Sequence, residues 1–156
     1  MTESSTSDNV VSSPTKTITV IPAFVDLAGT FGPTWSWTLP TSVIGGKPLK
    51  GNVSVVVSNL GNVALPTGQT VNIQFIAEDT THPSNPPVTL LVLSNRSVSA
   101  LAAKGTKTFT AAVSLAAGLP ADRYQIVANI IPVQSLAESN TANNTVTSPT
   151  RTILVS

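Results

Sequence analysis

Cysteine is absent from this chain of 156 residues. That excludes disulfides, thiolate nucleophiles and Cys-based zinc sites together. It assigns no redox compartment, because a core of this size stands without a covalent staple. Histidine occurs once, and aromatic residues make up 4% of the chain. A catalytic base or a ring-stacking surface therefore has few residues to draw on. Charge is scarce too, at 10%, with eight basic against seven acidic residues and a net charge of +1. These charges form no basic block, so nucleic acid is not expected as a partner. The longest apolar run, Val88–Leu93, falls far short of the roughly 20 residues of a spanning helix. Membrane insertion is not expected. Met1–Thr6 carries neither the basic region nor the apolar segment of a secretory signal, which leaves two expectations. The favoured one is a domain of a larger exported protein; the other is a protein that is not exported.

What the chain does have is threonine (22) and valine (19), its commonest residues. Their β-branched side chains suit the pleated, half-buried surface of a sheet. Twelve prolines and nine glycines fall between the apolar runs and supply the turns of an all-β chain. Residues 1–14 are polar, Ser/Thr-rich and without period, and read as a disordered leader or linker. From Lys16 the pattern alternates through Ile18 and Val20 until Pro22, which predicts an edge strand. Phe24–Leu27 begins the next extended piece, and Thr34–Leu39 alternates with Trp35, Trp37 and Leu39 on one face. Val53, Val55 and Val57, then Val71, Ile73, Phe75 and Ala77, repeat at period two. Further strands are predicted over Val88–Leu93, Lys107–Leu115, Tyr124–Ile131 and Thr145–Val155. Seven to eight such strands predict an immunoglobulin-like antiparallel β-sandwich over residues 15–156. Tyr124 opens a strand just after a Gly-Leu-Pro turn. There a tyrosine is placed to return its hydroxyl to nearby backbone, so Tyr124 reads as structural.

Four segments carry a family resemblance. They are Val53–Asn62 with Asp26–Leu27 and a Gly-Gly turn before it, Leu101–Thr106, Gly118–Tyr124 and Glu138–Asn144. In this order and spacing, over about residues 24 to 156, the chain resembles the CARDB domains, the cell-adhesion-related domains found in bacteria. The resemblance implies a non-catalytic, seven-stranded module, commonly in tandem within large exported bacterial and archaeal proteins. It also implies an extracellular or cell-surface location. Two departures stand out: Ile130–Ile131–Pro132 lacks an Asp, and Thr141 replaces the second Glu of the Glu-Ser-Asn signature. Both remove carboxylates.

Each candidate site has two readings. Asp26, Glu138 and Asn140 are metal-ligand candidates, but Ca²⁺ takes six to eight oxygens, several of them charged. The favoured reading makes the signature a turn whose Asn and Ser side chains, Asn143 and Asn144 among them, bond backbone. No cofactor is then expected, with Ca²⁺ as the alternative. Trp35 and Trp37 form either a sugar-stacking platform or part of the core, and the core is favoured. His82, in a Pro-rich loop beside Glu78 and Asp79, reads as an exposed loop residue, with a ligand role as the alternative. A serine nucleophile would need that same histidine, and no Gly-x-Ser-x-Gly turn is present. An enzyme is not expected. The leading expectation is a structural and interaction module, a spacer or adhesion unit with a protein or polysaccharide partner. The alternatives are a carbohydrate-binding module using Trp35/Trp37 or the 78–87 loop, and an intracellular protein that assembles by adding strands edge to edge.

Overall fold

The computed structural model describes residues 19–32 and 37–156, with the side chains of 149–151 outside that description. Eight strands form two sheets. They are β1 (Leu27–Phe31), β2 (Ser42–Val43), β3 (Leu49–Asn59), β4 (Thr70–Asp79), β5 (Val88–Ser97), β6 (Thr106–Leu115), β7 (Asp122–Pro132) and β8 (Thr145–Val155). The smaller sheet runs β1-β3-β6 and the larger β2-β8-β7-β4-β5. All pairings are antiparallel except the short one between β2 and β8. This is the all-β sandwich that the strand pattern predicts.

The period-two positions meet between the sheets. Val53, Val55 and Val57 of β3 face Val71, Ile73, Phe75 and Ala77 of β4, all fully buried. Ile126, Ala128 and Ile130 of β7 and Ile153 and Val155 of β8 complete the core. Burying each valine, isoleucine or phenylalanine of this set contributes about 1.5–3 kcal/mol, and inter-sheet packing of this kind holds a sandwich together.

Two expected strands differ. Over Thr19–Ile21 there is no strand, and Val20 is exposed; Lys16, Ile18 and the 1–14 leader lie outside the described residues. Pro22 removes a ladder donor there, and among the described residues no strand pairs with the segment. Trp37–Pro40 is likewise not a strand, although Trp37 and Leu39 are buried as expected. Thr38 leans on β3, donating its N–H to the Asn52 carbonyl at 3.0 Å and accepting the Asn52 N–H on Oγ1 at 2.7 Å. Trp35 lies outside the described residues.

Candidate functional site

The motif residues gather at the two ends of the sandwich. At one end the chain enters β1 beside the turn that precedes β8. Val25 bridges Glu138, and Ser139 donates its N–H to the Val25 carbonyl at 3.0 Å. Glu138 Oε2 accepts the Leu27 N–H at 2.8 Å, and Oε1 accepts Asn144 Nδ2 at 3.0 Å. Asn143 Nδ2 donates to Asp26 Oδ1 at 2.9 Å, while Asn140 Oδ1 accepts the Ala142 N–H at 3.0 Å. A single 3-10 turn, Ala142–Asn144, presents both amides to the carboxylates.

These hydrogen bonds form a clasp. Three of the four carboxylate oxygens of Asp26 and Glu138 accept N–H donors. The Oδ1 atoms of Asn143 and Asn144 are buried without a partner. Turning either oxygen toward the carboxylates would forfeit the Asn–carboxylate hydrogen bond that orients the amide.

Asn59 sits at the same end, fully buried, and was not singled out from the sequence as a site. Its Nδ2 donates to the carbonyls of Val63 at 2.8 Å and of Leu101 and Ala102 at 3.2 Å. Its Oδ1 accepts the Gly61 N–H at 3.0 Å and the Asp26 N–H at 3.4 Å. One side chain thus ties the end of β3 to the turn before β6 and to the entry of β1. A Cβ on Gly61 would collide with the Phe24 carbonyl, so glycine is required two residues on. The Asn-x-Gly pattern following a strand was the available signal.

At the opposite end, β4 and β7 stop side by side, with Asp79 paired to Tyr124. Parity extends the inward row of β4 to Asp79, and that of β7 back from Tyr124 to Asp122. Carboxylates therefore arrive where the core opens. Asp79 is buried, and donors surround it: Oδ1 accepts the N–H groups of Thr81 at 2.9 Å and His82 at 2.8 Å, and Oδ2 accepts Asn85 Nδ2 at 2.8 Å. This folds the 80–87 loop back and brings His82 Nδ1 to 2.7 Å from Asp122 Oδ2 and 3.7 Å from Asp79 Oδ2.

His82 is an exposed loop residue, as expected, but Asp122 is a partner that sequence spacing did not reveal. The hydrogen bond and charge of Asp122, with a smaller push from Asp79, raise the His82 pKa above its usual value. The Thr81 side chain, the Arg123 backbone N–H and His82 hold the Asp122 carboxyl down at about 2.

Tyr124 departs from expectation. Its ring is buried, but its hydroxyl forms no hydrogen bond among the described residues, to backbone or otherwise. Burial and then the charges of Asp79 and Asp122 raise its pKa. Tyr124 lines a cavity of about 280 Å³ with Asp79, Asn85 and Asp122, next to a cleft of about 390 Å³ bordered by Glu78, Thr80 and Gln125. The platform reading of the tryptophans also fails at Trp37, which is buried and packs edge-on against Phe31 with ring centroids 5.3 Å apart. A ring in the core cannot stack on a sugar.

No family model matches the chain, and no curated protein matches it. Among solved structures, the solution NMR structure of a CARDB domain from Pyrococcus furiosus is similar with a TM-score of 0.50. It shares 19% identity over 86% of this chain and 97% of that one. The crystal structure of the same domain, in complex with di-metal ions, has a TM-score of 0.48 at 19% identity, over 87% of this chain and 97% of that one. A β-glucosidase from Listeria innocua in complex with isofagomine follows, at 0.46 and 16% identity over 84% of this chain but 16% of that one. At such identities the likeness is one of fold: this chain has the β-sandwich of a CARDB domain.

Proposed function

We propose that the chain is a non-catalytic structural and interaction module, a spacer or adhesion unit within an exported or surface protein of a bacterium. The observation that carries this reading is the clasp. Glu138, Asn143 and Asn144 of the signature, with Asp26, bond to one another and to β1. Through these bonds they tie the last turn to the first strand. A module locked where its first and last strands meet suits transmission of load between neighbouring domains in a tandem array. The experiment joins two copies and measures their scattering profile, alongside turnover assays with chromogenic glycosides and esters. An extended end-to-end particle without turnover is expected. Turnover that His82→Ala abolishes would overturn the non-catalytic reading.

A second reading, carbohydrate binding through the 78–87 loop, has one observation in its favour. The cleft beside that loop offers Glu78, Asp79, Asn85 and Gln125 as hydrogen-bonding groups. Saturable retention on a polysaccharide gel, lost in Asn85→Ala, would select it over the spacer.

A further inference from the structure

We propose that Asp79, His82 and Asp122 form a binding site for one first-row divalent transition-metal ion with the ligand preference of Zn²⁺. Its remaining coordination position opens into the cavity lined by Tyr124. One ligand atom from each residue lies within 4.8 Å of the other two. Bonds of about 2.0–2.2 Å in a tetrahedral arrangement set ligand atoms roughly 3.3–3.6 Å apart. The observed separations from His82 Nδ1, 2.7 Å to Asp122 Oδ2 and 3.7 Å to Asp79 Oδ2, bracket that spacing. Small rotations of an exposed imidazole would close the set. One nitrogen and two carboxylate oxygens suit zinc; calcium selects all-oxygen shells of higher number.

The outer shell is already in place. The Asp79 carboxylate is oriented by the N–H groups of Thr81 and His82 and by Asn85 Nδ2, which is how protein sites fix a ligand's direction. The β4–β7 ladder sets the position of Asp79 opposite Tyr124 and the β7–β8 ladder that of Asp122 opposite Val155, so only His82 lies on a loop.

The cavity beside the three ligands is lined by Tyr124 together with Asp79 and Asp122, and an ion there would neutralise the carboxylates' negative charge.

The chain suits a clean test, because it has one histidine and no cysteine. Zn²⁺ is titrated into the full chain at neutral pH by calorimetry, with Ca²⁺ in parallel. The expected result is one Zn²⁺ per chain and no saturable Ca²⁺ binding. His82→Ala and Asp122→Asn each weaken Zn²⁺ at least about 100-fold, the upper end of what loss of an outer-shell group costs. Both positions are near the surface, and circular dichroism verifies that the variants fold. Nitrogen NMR of the imidazole should show the metal on Nδ1. Absence of saturable Zn²⁺ binding by the unmodified chain overturns the proposal. So does binding that Asp122→Asn leaves unchanged, or metal on Nε2, since either marks His82 as an adventitious surface ligand.

Discussion

Glu138 and Leu27 are 111 residues apart in the chain, yet Glu138 Oε2 accepts the Leu27 backbone N–H at 2.8 Å. The bond joins the first strand of the smaller sheet to the turn that feeds the last strand of the larger one. Its other oxygen holds Asn144, so a single carboxylate orients the turn and anchors β1. Hydrogen bonds to a charged group contribute about 1.5–3 kcal/mol each in net terms. Glu138→Ala is therefore expected to destabilise the domain by about 3 kcal/mol, while Glu138→Gln, which keeps one acceptor, costs less. Urea denaturation of the three proteins checks the order. Equal midpoints would show that the clasp contributes nothing.

Asn59 makes a sharper case, because both halves of its amide are in use. Asn59→Asp keeps the shape but removes the donor to Val63, Leu101 and Ala102 and brings a carboxylate among carbonyl oxygens. Leaving a buried polar group unsatisfied costs about 1–3 kcal/mol, and more for a charge. Asn59→Asp is expected to be more damaging at pH 7 than Asn59→Ala, against ordinary size rules, and to recover partly in acid as the carboxyl protonates. Thermal melts of both variants at two pH values decide the point. An Asp variant as stable as the parent would remove Asn59 from its role.

The sandwich was legible in the sequence because period-two apolar runs are local. Val53–Val57 and Val71–Ala77 state which face is inward without reference to any partner. What did not transfer was what depends on a neighbour. Thr34–Leu39 alternates as a strand does, but Trp37–Leu39 makes no ladder among the described residues and is held to β3 through Thr38. The sequence neighbours of His82 are Glu78 and Asp79, while its closest partner, Asp122, is brought in by the pairing of β4 with β7. The clasp lay between these cases. Its turn was readable from the Asn-rich segment, but its hold on Leu27 was not, since no spacing rule links residues so far apart.

Tyr124 was expected to stabilise the fold through its hydroxyl, and the structure moves that contribution to the ring. With no partner for the hydroxyl among the described residues, Tyr124→Phe is expected to change stability by less than about 0.5 kcal/mol in metal-free solution. Tyr124→Ala, which empties a buried aromatic site, should cost about 3–5 kcal/mol. Chemical denaturation of both variants with chelator present provides the comparison. A clear loss in the Phe variant would mean that the hydroxyl is bonded in solution.

The His82–Asp122 pair gives stability a defined pH window in the metal-free chain. His82 has its pKa raised above 6.5, so its contribution is complete below 6.5 and is lost as pH rises through the raised value. Asp122 has its pKa lowered from 3.8 to about 2. Its contribution is complete above 3.8 and is lost as pH falls toward 2. The two conditions overlap between about pH 4 and 6.5, where a protonated imidazole faces an ionised carboxylate. His82 is exposed and Asp122 half-buried, so the effect is small and weakens as salt screens it. The measurement is the melting temperature of the parent minus that of His82→Ala, with chelator present, across pH 3 to 9. The gap is expected to peak between pH 4 and 6.5 at low ionic strength, to narrow on either side, and to shrink with added salt. A gap that is flat with pH would show that His82 and Asp122 do not interact as an ion pair in solution.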